Sequence, residues 1–518
     1  MTSKVLKLGT RRSLLAWAQS SWVARQIETA NPGLSIELVG IDTRGDRIQD
    51  VPLSQVSGKE FFVAEIDQAL TAAEVDLTVH SLKDLSLDRP PALQTAAIPR
   101  RENPRDVILF GPEVLVKLKR GQPLTIGTSA PRRIENIPAF LERALPQLNS
   151  EIAPKVQLIE IRGNVNTRAG RLHLPVDSPK RLDGVVLAFA GLIRLWRDDK
   201  GRAELMQLLR GVRWMVLPLR ECPTAPGQGA LAIECRAGDS ATLACIKKIH
   251  CAETARHVAI ERQLLHQWGG GCHQRFGATS FKQEKLGDLL FIRGKKPDDT
   301  FVEELRWLSP RVEAPAQAGG VAMRIWDGSS QRDTIFKTET LPGASKRLEG
   351  AVFVAHARAA EPMEFDTAAR VWTSGVRSWL KLAARGVWVE GCAENLGFES
   401  VKSTLAEPAL GLPRTEDWDI LTHDGAIEGW ASGRVIPTYR AGPNFDKGEG
   451  DSVIGSLKNA THVFWSSGSQ FEILRTYVST QARHACGPGK TADHLLRSGV
   501  AGVDVFPSAE EWKKWIKT

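Results

Sequence analysis

Apolar strands that run into turns of glycine, serine and arginine, and then into helices, recur between residues 4 and 194. Residues 4–8 lead into Gly9-Thr10-Arg11-Arg12-Ser13 and a helical run over 14–28. Residues 35–41 read as a strand and 61–72 as a helix. The strand over 75–79 ends at His80-Ser81-Leu82-Lys83-Asp84. The strand over 124–127 ends in Thr128-Ser129-Ala130-Pro131-Arg132-Arg133, and that over 156–161 in Arg162-Gly163-Asn164-Val165-Asn166-Thr167-Arg168. A further strand over 182–187 leads to Ala190-Gly191-Leu192-Ile193-Arg194. This alternation dictates an α/β fold, with ligand groups gathered at the carboxyl edge of the sheet.

A second α/β unit covers 106–212. A third, over 237–312, holds a helix (253–267), the run Gly269-Gly270-Gly271-Cys272-His273, and strands over 288–293 and 301–308. Residues 313–349 are rich in Ala, Gly, Pro and Ser, so a linker is expected there. A new α/β pattern then occupies 350–518. Within it, Val371-Trp372-Thr373-Ser374-Gly375 and Val463-Phe464-Trp465-Ser466-Ser467-Gly468 look alike, a weak internal repeat of roughly 92–97 residues.

The 518 residues carry 68 Lys and Arg against 60 Asp and Glu. The basic residues stand singly inside turn motifs, which favours a defined anion site over a diffuse polyanion face. No basic stripe with interleaved aromatics is present, so nucleic acid is not expected as a partner. Seven cysteines lie far apart with no CxxC pair, which argues against zinc and against a disulfide framework. No apolar run of about 18 residues and no signal-type apolar segment occur. A soluble, cytoplasmic, monomeric protein is expected, with no metal.

Arg11, Arg132, Arg133, Arg162 and Arg168, with Arg194 as a sixth, fall where strands turn into helices. Guanidinium groups pair bidentately with carboxylates, and helix starts add backbone N–H donors. A cleft for a ligand with many negative charges follows. Asp84 is a lone carboxylate at its rim. It serves either as a helix cap or ion-pair partner, or as the group facing positive charge that develops on a substrate. The three glycines before Cys272 keep side-chain bulk away from its sulfur. That thiol is either a buried small hydrophobe or a point of attachment.

These motifs resemble hydroxymethylbilane synthase, also called porphobilinogen deaminase. They are Gly9-Thr10-Arg11 with Ser13, Thr43-Arg44-Gly45-Asp46, Val79 to Asp84, Gly127-Thr128-Ser129 with Arg132-Arg133, Arg162 to Arg168, Gly227-Gln228-Gly229-Ala230 with Glu234-Cys235-Arg236, and Gly270-Gly271-Cys272, in family order across about 1–312. The resemblance implies two periplasmic-binding-protein-like α/β lobes (1–105 with 213–236, and 106–212) and a small α+β third domain (237–312). It implies an enzyme that joins four porphobilinogen molecules, releases ammonia each time, and passes through oligopyrrole intermediates. A dipyrromethane cofactor would be thioether-linked to Cys272. Asp84, with Lys83 and Arg11, would be catalytic. Ser129, Arg132, Arg133 and Arg162, with Lys83 and Asp84, would hold the cofactor. Arg11, Ser13, Arg168 and Arg194 would hold substrate, with Lys59 and Phe62 in a lid segment. Glu60-Phe61, Ser86, Ala130-Pro131 and His273-Gln274-Arg275 depart from the family pattern; they bear on rate and lid motion, not on reaction type.

The remaining residues resemble the later part of uroporphyrinogen-III synthase, through Pro437-Thr438-Tyr439-Arg440, the 464–468 turn, and Ala485 to Ala492 followed by Val503-Asp504-Val505-Phe506-Pro507. Only 351–358 reads as the N-terminal portion of such an enzyme. The resemblance implies a C-terminal α/β module that cyclises hydroxymethylbilane, with Ser374, Tyr439, Ser466, Ser467 and Thr491 at its site. Two other readings stay open: a two-lobed binder of anionic small molecules without catalysis, and a deaminase carrying an inactive module.

Overall fold

The computed structural model describes residues 4–43, 63–269, 274–309, 323–328, 336–430, 432–444 and 449–517. It is a mixed α/β structure that divides into two compact units. The first takes in nearly all of the chain up to residue 280 together with 290–305; the second is chiefly 306–518.

The first unit holds two five-stranded sheets among the described residues. Their strands are β1 (Lys4–Arg11), β2 (Leu34–Ile41), β3 (Leu77–Ser81), β4 (Leu93–Ala97), β5 (Asp106–Phe110), β6 (Leu124–Thr128), β7 (Val156–Glu160), β8 (Gly184–Ala188), β9 (Arg213–Val216) and β10 (Leu231–Arg236). One sheet has the order β2-β1-β3-β10-β4 and the other β7-β6-β8-β5-β9. β1 lies parallel to β2 and β3, whereas β10 runs antiparallel to β3 and β4. The chain therefore crosses from the first sheet to the second after β4 and returns after β9. That return corrects the boundary expected at 213: β9 pairs antiparallel with β5, register Val107 to Val216, so 213–216 complete the second sheet.

Period and burial agree along these elements. β5 is buried at every residue, as a central strand covered on both faces must be. The helix Leu14–Ala30 buries Val23 and Ile27, one turn apart, against Leu6 and Leu8 of β1 and Leu77 of β3. Each such side chain contributes about 1.5–3 kcal/mol by leaving water. Ser13 starts this helix by accepting from the Ala16 amide at 3.3 Å. Asn164 does the same for Thr167 at 2.8 Å and opens the helix Val165–Gly170. Each cap is worth about 1 kcal/mol.

In the second unit, a six-stranded sheet runs Phe336–Thr340, Arg434–Pro443, Asp419–His423, Ala351–Val354, Arg370–Thr373, Val389–Cys392. A four-stranded sheet runs Ile325–Trp326, His462–Trp465, Arg483–Cys486, Asp504–Val505. One expectation is corrected here. The stretch 313–349 is not a plain linker, because Ile325–Trp326 pairs parallel with His462–Val463 and Phe336–Thr340 pairs antiparallel with 439–443. The strand at 351–354 is a central member of the larger sheet. The chain enters the smaller sheet first, builds the larger, and returns through Arg434–Pro443.

Candidate active site

β3 ends at Ser81, and one turn of 3-10 helix, Leu82–Asp84, follows. The Leu82 amide donates to Ala230 O at 3.0 Å, which brings this turn beside Gly227-Gln228-Gly229. Both glycines have positive φ (79° and 85°), and a Cβ on Gly229 would lie 2.5 Å from Glu102 O. Only glycine lets the chain present Gln228 here.

Gln228 ties the two sheets together. Its Oε1 accepts from Lys83 Nζ at 3.4 Å and from Arg132 Nη2 at 3.2 Å. Its Nε2 donates to Asp106 Oδ1 at 2.7 Å and to Pro104 O at 2.7 Å. Asp106, buried at the start of β5, accepts a bidentate pair from Arg133 (2.9 and 2.7 Å) and a third bond from Arg132 (3.2 Å). Burial opposes ionisation of Asp106, but Arg133 and Arg132 overcome it and hold the carboxyl well below the usual range. Neither Gln228 nor Asp106 stands out as a site residue in the sequence. The glycine pair around Gln228 was the one available signal.

Arg168 donates to Ser129 Oγ at 2.7 Å and to Gly163 O at 2.7 Å. Burial, reinforced by Arg133, lowers Arg168 to about 10, and Asp84 opposes the shift. Asp84 also acts on Arg132 and Lys83. Lys83 is lowered to about 8, chiefly by burial and then by Arg133 and Arg132, against Asp84. Asp84, Lys83, Arg132, Arg133, Arg168 and Ser129 thus belong to one cationic cluster. Three buried donor atoms of guanidinium groups, Arg132 Nε and Arg162 Nε and Nη2, have no hydrogen-bond partner among the described residues. Buried donors call for acceptors, and carboxylate oxygens are the natural ones.

Other expected residues fall differently. Arg133 gives its fork to Asp106, so its first duty is internal. Ser13 is a helix cap. Arg194 is not at a turn but inside the helix Phe189–Arg197, where its Nη2 donates to Gly229 O at 2.6 Å. It lines a small separate pocket with Trp22, Arg25, Arg100, Glu102 and Arg197. Arg11 ends β1 and acts electrostatically on buried His80, which burial lowers to about 4. Lys59, Phe62 and Cys272 lie outside the described residues.

Arg133→Met is expected to destabilise the first unit by about 3–5 kcal/mol, because it strips a buried carboxylate of its bidentate partner. Thermal unfolding measures this. An unchanged melting temperature would return Arg133 to ligand binding.

In the second unit, Ser374 follows the strand Arg370–Thr373, and its amide donates to Val354 O at 3.0 Å. Ser466 donates to Gln470 Oε1 at 3.0 Å, and Ser467 caps the helix Gly468–Leu474. Thr491 is the second residue of the helix Lys490–Arg497. Tyr439 stands opposite His423, ring centroids 5.9 Å apart, and His423 Nε2 is 3.3 Å from Ser469 Oγ. The structure therefore links Tyr439 to Ser469, at the start of the helix after the Ser466-Ser467 turn, through a histidine not expected from sequence.

Among the described residues, Asp67, His80 and Glu234 have the spacing of a metal cluster. Arg89 already spans two of them, at 2.7 Å to Asp67 and 2.6 Å to Glu234, so the charge is met internally.

Fold and site together define an α/β protein with a cationic cluster and a carboxylate at its edge. Residues 6–244 match the family described as porphobilinogen deaminase, dipyromethane cofactor binding domain. Porphobilinogen deaminase of Syntrophotalea carbinolica is 41% identical over 304 residues, 59% of this chain and 87% of that one. That of Brevibacillus brevis is 40% identical over 273 residues, 52% and 78% respectively. The chain belongs to the porphobilinogen deaminase family, and the cofactor of the matched domain is dipyrromethane. Solved structures such as the BenM effector binding domain with its effector benzoate align with a TM-score of 0.25 at 14% identity, over 52% of this chain and 96% of that one; this likeness is too slight to add to the family match. No helix among the described residues is long and apolar enough to cross a membrane.

Proposed function

We propose that the first unit is a hydroxymethylbilane synthase that condenses four porphobilinogen molecules with loss of ammonia. The observation that carries this reading is Asp84 set beside Lys83 in a cluster whose buried guanidinium donors are only partly satisfied. Each pyrrole carries two carboxylates, which Arg132, Arg162 and Arg168 are suited to receive. Two five-stranded sheets joined by two chain crossings support the reading of the lobes as periplasmic-binding-protein-like.

A dipyrromethane linked to Cys272 would supply the nucleophilic pyrrole end on which a chain is built. Arg132, Arg162 and Ser129 would hold its carboxylates. Asp84 would face the pyrrole N–H of the reacting ring. It stabilises the positive charge that grows there as ammonia departs, an interaction stronger in the transition state than in the ground state. Lys83, fixed by Gln228, keeps one positive charge beside that carboxylate.

With Lys83 near 8, its charge is lost as pH rises through that value. Ammonia release is expected to decline above about pH 8, and Lys83→Arg should move the decline to higher pH. Identical alkaline limbs in both proteins would remove Lys83 from the mechanism.

For the second unit we propose a uroporphyrinogen-III synthase-like module that closes the linear product, with Tyr439 near the leaving hydroxyl. The specific support is the convergence of Tyr439 and Ser469 on His423. The intact chain given porphobilinogen should yield mainly the type III isomer of uroporphyrinogen. Spontaneous closure gives type I, so a product that is type I alone would reduce the module to an inactive companion.

A further inference from the structure

Lys490 begins the helix that follows the strand Arg483–Cys486. Its Nζ is buried and has no hydrogen-bond partner among the described residues. The nitrogen stands 3.1 Å from the centre of the Trp430 indole. An aromatic face attracts an ammonium but leaves N–H donors unanswered, and a buried donor without an acceptor is costly. Trp430 is in turn wedged edge-on by Phe398 and Phe353, at 5.7 and 5.8 Å, so the platform is fixed. Gly487 and Gly489 leave open space where a Cβ would stand, and only Gly489 Cα comes within 4 Å of a Cβ on Gly397.

Lys490 acts electrostatically on His423, whose ring in turn contacts Ser469 and Tyr439. Burial is the main influence on the lysine, lowering it to about 6. Arg497 adds to the effect, while Asp493 and Glu399 oppose it. Burial also lowers His423, against Asp424 and with Lys490 and His494. An anion set against Nζ would reverse the first shift and draw a proton to the amine.

We propose that Lys490 anchors one carboxylate of a multiply carboxylated ligand in the second unit, at a site also lined by His423, Ser469 and Tyr439. This deepens the reading of that unit as a consumer of the first unit's polycarboxylate product and rests on it for the identity of the ligand.

The test uses the intact chain with uroporphyrin I, a tetrapyrrole bearing acetate and propionate groups, and a water-soluble carbodiimide. The reagent activates a ligand carboxylate as its O-acylisourea. An amine in contact attacks the acyl carbon, the C–O bond breaks, the urea leaves with the oxygen, and the amine gives up a proton as the amide forms. Peptide mapping should find the ligand mass on Lys490. Adducts confined to exposed lysines would overturn the proposal. As a second measurement, Lys490→Met should lower the type III to type I ratio at least tenfold with ammonia release unchanged, while Lys490→Arg retains most of it. An unchanged ratio in Lys490→Met would also overturn it. If the wild-type chain yields only type I, the synthase reading falls, and the cross-link alone decides whether Lys490 holds a carboxylate.

Discussion

Asp84→Ala is expected to cut turnover by roughly 100-fold or more, with little change in folding stability. Removing one preorganised electrostatic partner of a developing charge typically costs this much. The location of Asp84 supports the split between rate and stability. It is exposed, at the end of a single 3-10 turn, and Leu85 after it is extended, so there is no helix for it to cap. Exposed substitutions of this kind usually shift stability by about 0.5 kcal/mol or less. Steady-state ammonia release and thermal unfolding, measured on the same preparation, separate the two effects. A loss of less than about fivefold would leave Asp84 as a spectator carboxylate.

Cys272→Ser is expected to abolish activity and to remove the added mass of a dipyrromethane from the purified protein. A hydroxyl is a far weaker nucleophile than a thiolate, so no thioether equivalent should form. The other cysteines make poor substitutes. Cys235 is fully buried in β10 with its thiol pushed up by burial, and Cys222, Cys392 and Cys486 are buried too, Cys486 being pushed up to about 12. Cys251 is half-buried; burial raises its thiol but hydrogen bonds from Thr254 outweigh that and lower it, which makes it the strongest competitor. Intact mass and peptide mapping decide. An adduct on Cys251 or Cys235 would move the attachment point.

The sequence carried the strands and their catalytic-looking ends well, because each motif is local. The turn from β3 into Lys83 and Asp84, and that from β6 into Arg132, need only neighbouring residues to be recognised. What it hid depends on distant partners. Asp106 reads as an ordinary strand start until Gln228, 122 positions away, is found bonded to it. Arg133 looks like a ligand arginine for the same reason. Arg194 follows the strand over 182–187 closely enough to read as a turn residue, yet the helix begins at Phe189 and continues through it. The stretch 313–349 reads as a linker because it is rich in Ala, Gly, Pro and Ser, and its strand Phe336–Thr340 is almost wholly exposed and polar. Only Phe336 of this edge strand packs against a core, so there is little apolar alternation to read.

That strand has a practical consequence. Ile325–Trp326 and Phe336–Thr340 each lie at the margin of a different sheet, and Trp326 packs on Trp465 with ring centroids 5.5 Å apart. Dividing the gene near codon 345 would therefore uncover two sheet margins at once, and with them the face of Trp465 that Trp326 covers. Open margins template pairing with other chains, so such a fragment should precipitate or pair with itself. A separable second half has to begin before residue 323, on the near side of both strands.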